Sequence, residues 1–263
     1  MSKIIRDGHI HTPLCPHGEM NEKFEDYVYK ALEEGLKEIT FTEHLPLPDT
    51  LNGVDNEFLK ECALSDEATE EYIKKVNEIK ATFKDRLKIN LGFEVDYIDD
   101  MEDTVREKLN RYGENIEDSI LSVHFIKYKD NYYAIDGLND FEYLLKELGS
   151  LEEVYNLYFN TVYKSITSDL GKYKPKRIGH ITLVRKFAQK YPYEYKNIAL
   201  FNKIVREMKE RDMEFDYNTA GLRKPLCKET YPSGIFYEIL VNNNIRKVYG
   251  SDSHIAKDVG AGF

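Results

Sequence analysis

Apolar and polar positions along this chain switch repeatedly between two periods. Short β-rich runs at residues 3–9, 38–44, 88–96, 118–125, 177–184, 213–218 and 247–251 predict seven strands. Between them, apolar positions recur at helical spacing. Phe24, Tyr27, Val28, Ala31 and Leu32 form one such stripe, with Gly35 as its stop. A second helix over 67–83 follows a Ser65 cap, and a third over 105–112 ends at Gly113. Ser150 and Glu153 make a capping-box pattern ahead of Tyr155, Tyr158, Phe159 and Val162. Residues 198–208 and 235–241 predict two more helices.

Strand followed by helix, over and over, argues for parallel strands joined by helical crossovers. A closed or nearly closed βα barrel is the simplest arrangement, and an open doubly wound sheet is the alternative. In both, the functional face lies beyond the C-terminal ends of the strands. The 263 residues suit one barrel, and no Gly-, Pro- or Ser-rich linker divides them, so residues 1–263 read as a single α/β domain.

Composition narrows the picture. No run of 18 apolar residues exists, so no membrane span is expected. The N-terminus turns charged before an apolar stretch develops, so no signal peptide is expected. Cys15, Cys62 and Cys227 are scattered and odd in number, which suits a reducing cytoplasm. A net charge of −10 argues against a nucleic-acid partner. It also means that phosphate binding would need a strong local positive charge, which metal ions supply.

The seven histidines change the picture most. His9 and His11 end the first predicted strand, His17 follows it, and His44 ends the second. Glu94 lies near the end of the third, His124 near the end of the fourth and His180 within the fifth. Asp252 and His254 follow the seventh. None falls on a predicted helix face. A single His at a strand end is usually a satisfied polar residue, but parallel strands bring all of these to one rim. Imidazoles with a few carboxylates suit zinc, manganese or iron. His9-Ile10-His11 places two rings on one side of a strand with Ile10 on the other, and Asp252-Ser253-His254 repeats the pattern.

His9-Ile10-His11-Thr12, Thr42-Glu43-His44, Gly92-Phe93-Glu94, Ser122-Val123-His124-Phe125, Gly179-His180 and Gly250-Ser251-Asp252-Ser253-His254 resemble, in order, the motifs of the polymerase and histidinol phosphatase family. Cys15-Pro16-His17-Gly18, Ile135-Asp136, the run from His180 to Phe187 and the run from Asn218 to Lys224 resemble its histidinol-phosphate phosphatase branch. The resemblance implies a distorted seven-stranded (β/α)7 barrel, TIM-barrel-like, with the active site at the C-terminal ends of the strands. It implies three divalent transition-metal ions. His9, His11, Glu94 and Asp252 would hold the first. Glu94 would bridge to a second, held also by His124 and His180. His17, His44 and His254 would hold the third.

The expected chemistry is in-line hydrolysis of a small phosphomonoester, L-histidinol phosphate, by a hydroxide bridging the first two metals. Asp252 is the candidate to take the water's proton, and His254 a candidate donor to the leaving alcohol. Arg185, Arg223, His17 and Asn218 are the candidate substrate contacts, with Lys224 a weaker one. Against each arginine stands the bland reading of a solvated loop residue, and against Asn218 that of a turn cap. Cys15 reads as a loop-packing thiol. Two other functions fit the same residues: a relative acting on another monoester, a nucleotide or phosphotyrosine, and a non-catalytic metal-binding protein.

Overall fold

The computed structural model describes residues 4–18 and 21–263; Lys3, the start of the first predicted strand, lies outside them. Seven parallel strands form one sheet: β1 (Arg6–Ile10), β2 (Glu38–His44), β3 (Lys88–Asp96), β4 (Ile120–Ser122), β7 (Arg177–Ile178), β8 (Glu214–Asn218) and β9 (Arg246–Gly250), in that spatial order. A separate antiparallel hairpin, β5 (Phe125–Tyr128) with β6 (Asn131–Ala134), follows β4. The helices are α1 (Phe24–Glu33), α2 (Asn56–Cys62), α3 (Asp66–Phe83), α4 (Glu102–Tyr112), α5 (Leu138–Leu148), α6 (Leu151–Thr167), α7 (Ile198–Glu210), α8 (Ala220–Arg223) and α9 (Gly234–Asn242). None among the described residues is long and apolar enough to cross a membrane.

The sheet curls into a nearly closed barrel of the TIM type, so the expectation of a barrel rather than an open sheet holds. Closure at the seam between β1 and β9 does not use an ordinary ladder. The Asp252 amide donates to His9 O at 2.8 Å and the His11 amide to Ser253 O at 2.9 Å. The buried Asp7 carboxylate does the rest. It accepts from the amides of Ser251 (2.9 Å), His9 (3.2 Å) and Gly260 (3.0 Å), tying strand, closing turn and C-terminal segment together.

Local sequence explains most elements. Ser65 Oγ accepts from the Ala68 amide at 3.1 Å, and Ser150 Oγ from the Glu153 amide at 3.2 Å, so both serines cap their helices, the second without the reciprocal Glu153 bond of a capping box. α1 buries Phe24, Tyr27, Val28 and Ala31, the stripe seen in the sequence. At Gly92 a Cβ would lie 1.6 Å from Asp118 O, so only glycine lets β3 approach the segment ahead of β4.

Three segments depart from expectation. The fourth strand stops at Ser122, and Phe125 opens the hairpin, whose turn at Lys129 (φ 56°) carries no glycine to announce it. The fifth strand shrinks to Arg177–Ile178, and residues Leu183–Phe187 form a 3-10 turn instead. Helices α2, α5 and the short α8 are additional.

Candidate metal centre

The strand ends converge as parallel geometry requires. The β2–β3 register sets His44 beside Glu94, and Ile10 packs into the core while His9 and His11 turn toward the rim. Glu94 is the hub. Its Oε2 lies 3.2 Å from His9 Nε2, 3.3 Å from His11 Nε2 and 3.5 Å from His44 Nε2. Its Oε1 lies 2.8 Å from His180 Nε2 and 3.6 Å from His124 Nε2. Asp252 Oδ1 closes the ring, 3.7 Å from His9 Nε2 and 3.5 Å from His11 Nε2. His254 stacks on His11 with ring centroids 4.0 Å apart, and His17 stands edge-on to His44 at 6.2 Å.

A second row of carboxylates grips the rings from behind. The Nδ1 of His9 faces Asp216 Oδ2 at 2.8 Å. Asp96 serves two rings, with Oδ1 2.7 Å from His124 Nδ1 and Oδ2 3.4 Å from His44 Nδ1. Glu43 Oε2 lies 3.5 Å from His11 Nδ1, and its Oε1 accepts from the Thr12 amide. A ring that donates Nδ1–H outward to a carboxylate turns the Nε2 lone pair inward, the tautomer a metal ligand needs.

The electrostatics follow from this crowding. Burial acts to raise the Glu94 carboxyl, but the rings of His9, His44 and His124 more than reverse it and hold it well below its usual range. Asp96 is likewise held down to about 2, against burial, by His124 and His44. Burial disfavours charge on His124, yet Asp96 and Glu94 push it up to about 10. His17 is pushed down to about 4 by burial and by the neighbouring His44 and His11.

These residues fit divalent cations. Both ring nitrogens of His11 and Nδ1 of His180 are buried without a hydrogen-bond partner. His124 Nε2 and His180 Nε2 sit 3.1 Å apart, within hydrogen-bond range, so both rings turn a nitrogen to the same spot. His9–His11–Asp252, His11–His44–Glu94, His44–Asp96–His124 and His17–His44–His254 each bring ligand atoms within 4.8 Å of one another. Nitrogen and oxygen donors in this density suit first-row transition metals.

All nine residues read from the sequence as ligands are therefore brought together. Of the candidate substrate contacts, His17 is among them, whereas Arg185, Arg223 and Asn218 do not line the cavity. Arg185 forms a bidentate pair with Glu229 (3.0 and 2.6 Å) and donates to Tyr193 O at 2.8 Å. Arg223 donates to Ser251 O at 2.6 Å and pairs with Asp258 at 3.1 Å. Neither lines the cavity over the cluster, which measures about 400 Å³; Lys186 and Lys224 do, with His17. Asn218 is buried and donates from Nδ2 to Asp252 Oδ2 (3.1 Å) and Asp216 Oδ2 (3.0 Å), so it steadies carboxylates rather than facing the cavity. Cys15 is buried in the loop, its Sγ 3.9 Å from His17 Nδ1. Sequence reading passed over Asp96, Asp216 and Glu43. The available signal was the two-residue spacing of Glu94 to Asp96 and of Asp216 to Asn218, which puts each pair on one side of its strand.

Such a barrel, with a histidine–carboxylate cluster open to a cavity at its C-terminal rim, defines a divalent-metal hydrolase acting on small phosphomonoesters. The chain belongs to the PHP domain family, whose model matches residues 7–220, and within it to the histidinol-phosphate phosphatase branch. It is 42% identical to the histidinol-phosphatase of Bacillus subtilis, over 98% of this chain and 96% of that one. A crystal structure from Listeria monocytogenes, provisionally assigned as a histidinol phosphatase, superimposes with a TM-score of 0.92 at 38% identity and covers 98% of both chains. The histidinol phosphate phosphatase of Lactococcus lactis, described as complexed with zinc, L-histidinol and phosphate, shares the fold at a TM-score of 0.67 and 23% identity, over 96% of this chain and 87% of that one.

Proposed function

We propose that the protein hydrolyses L-histidinol phosphate to L-histidinol and phosphate, the step that yields the amino alcohol in histidine biosynthesis. The observation that carries this reading is the 42% identity to the Bacillus subtilis histidinol-phosphatase across nearly the full length of both chains, combined with a complete donor set at the rim.

Three ions of zinc, manganese or iron fit the cluster: one with His9, His11, Glu94 and Asp252, one with Glu94, His124 and His180, and one with His17, His44 and His254. Such cations, when bound, lower the pKa of coordinated water and neutralise charge on phosphate oxygens. The protein's own groups do the remainder. Asp252 would receive the proton of the attacking water, while Asn218 Nδ2 donates to its Oδ2 and so fixes the carboxylate plane. Arg223 steadies the same turn through the Ser251 carbonyl. His254 is lowered by burial and by the charged His11, so its ring stands neutral near pH 7 with a lone pair free for a cation, which suits a ligand better than a proton donor. Lys186 and Lys224 place positive charge on the cavity wall in an otherwise acidic chain.

The test is phosphate release from a panel of monoesters. L-Histidinol phosphate should give a kcat/KM orders of magnitude above p-nitrophenyl phosphate and simple sugar phosphates. Equal rates across the panel, or preference for a diester, would refute the assignment.

A further inference from the structure

The cations explain why a phosphate binds, but they do not select what the phosphate is attached to. That end of the substrate must meet the part of the cavity wall the cluster leaves free. There the wall carries Phe58, Phe125, Leu183, Lys186 and Lys224 and, among the described residues, a single carboxylate outside the cluster and its supports, Asp136. Asp136 lies in the short segment between β6 and α5 and lines the cavity. Its Oδ2 accepts from Lys186 Nζ at 2.9 Å, and among the described residues no hydrogen bond engages Oδ1. The side chain sits deep in the cavity, yet 32% of it remains accessible from that space.

The geometry points to Asp136 as the residue that reads the substrate's ammonium group, with Lys186 as the positioning residue that holds its carboxylate. This rests on the reading of L-histidinol phosphate as substrate. That molecule is anionic at one end and carries a primary amine two carbons from the ester oxygen. A carboxylate on the cavity wall outside the cluster suits a substrate of that polarity. Burial works against the charged form of Asp136, but the adjacent Lys186 ammonium opposes it and favours the carboxylate. A charge-assisted hydrogen bond to an ammonium is worth about 10- to 100-fold in binding when desolvated. A phosphomonoester without the amine would leave Asp136 unpaired.

The experiment compares L-histidinol phosphate with 3-(imidazol-4-yl)propyl phosphate, which differs only in lacking the amine, in the metal-loaded wild type, Asp136→Asn and Asp136→Ser. Inhibition by L-histidinol, which keeps the amine without the phosphate, is the second readout, and bound metal the third. The wild type should prefer the amine-bearing ester. In both variants the ratio of the two kcat/KM values should fall by about 10- to 100-fold, mainly through KM, and the Ki of L-histidinol should rise in parallel. A wild type that does not discriminate overturns the substrate reading and this assignment together. A wild type that discriminates while both variants discriminate equally well overturns this assignment alone. Loss of bound metal in both variants would make Asp136 a support of the cluster and overturn it too.

Discussion

Asp216 Oδ2 lies 2.8 Å from Nδ1 of His9, and both side chains are completely buried. The same oxygen receives Asn218 Nδ2 at 3.0 Å and the His180 amide at 3.4 Å. Asp216 thus reaches three residues of the rim from a strand, β8, that contributes no ligand. Gly250 makes room for it, since a Cβ there would come within 2.2 Å of Asp216 Oδ1.

Asp216→Ala should therefore weaken metal binding without removing a ligand. His9 would lose the acceptor that fixes its tautomer, and losses at such positions are about 10- to 100-fold in metal affinity or activity. Competition with a chelator, followed by elemental analysis, measures this. Retention of wild-type affinity would show that the His9 ring is oriented by its packing alone.

Glu94→Ala should cost more than His17→Ala. Glu94 lies within 3.6 Å of five imidazole nitrogens, whereas His17 borders only the group it shares with His44 and His254. Removing the hub exposes those rings to one another and disturbs more than one ion. The kcat/KM of Glu94→Ala should fall at least about tenfold further than that of His17→Ala, about 1.4 kcal/mol more of lost transition-state stabilisation. Bound metal should fall further as well. Steady-state rates with metal content decide it, and a milder loss for Glu94→Ala would remove it from the bridging position.

That the candidate ligands converge, while Arg185 and Arg223 do not face the cavity, has a physical basis. A ligand must lie at a strand's C-terminal end, and strand ends can be located from period-two patterns, so His44, Glu94 and Asp252 declare themselves. The short β7 was overextended because the apolar residues from Ile181 to Val184 pack equally well as an irregular segment. Arg185 and Arg223 had the right charge on the right loops, yet a guanidinium is long enough to turn away, and Glu229 and Asp258 captured them. Loop position does not determine where a long side chain points. Lys224, on the same α8 turn as Arg223, faces the cavity instead.

Metal removal should abolish activity, and the loss should steepen with acidity. Every ligand must be unprotonated to bind, and in the metal-free protein His124 is pushed up to about 10 by Asp96 and Glu94 against the effect of burial. A proton on His124 therefore competes near neutral pH with the ion that residue would hold. Apparent affinity should fall as pH falls, by about tenfold per unit for each proton displaced. Calorimetric titration of the chelated protein in buffers of different ionisation enthalpy counts those protons. Zinc or manganese should restore phosphate release, and full activity in protein shown to be metal-free would refute metal dependence.

The last prediction concerns stability at the other end of the barrel. Arg177 is 1% exposed, and its NH2 donates to Gly8 O at 2.8 Å and to Asp118 Oδ2 at 2.9 Å. Asp118 also pairs with Arg6 and accepts from Thr40 Oγ1 at 2.7 Å. Two further nitrogens of Arg177 have no partner, so this buried guanidinium depends heavily on one carboxylate. Asp118→Ala leaves it uncompensated, and breaking a buried pair from one side costs about 3–5 kcal/mol. Urea unfolding should show a lower midpoint with an unchanged slope. Acid should reproduce part of the effect in the wild type. Burial acts to raise the Asp118 carboxyl, but Arg177 and Arg6 prevail and hold it below its usual value. A carboxyl depressed in the folded state binds fewer protons there than in the unfolded chain. Its contribution is therefore complete above the unfolded pKa of about 3.9 and is lost as pH falls through the lower, folded value. Asp118→Asn should show less acid destabilisation than the wild type across that window. If the two lose stability in parallel, the Arg177–Asp118 pair is not what acid breaks.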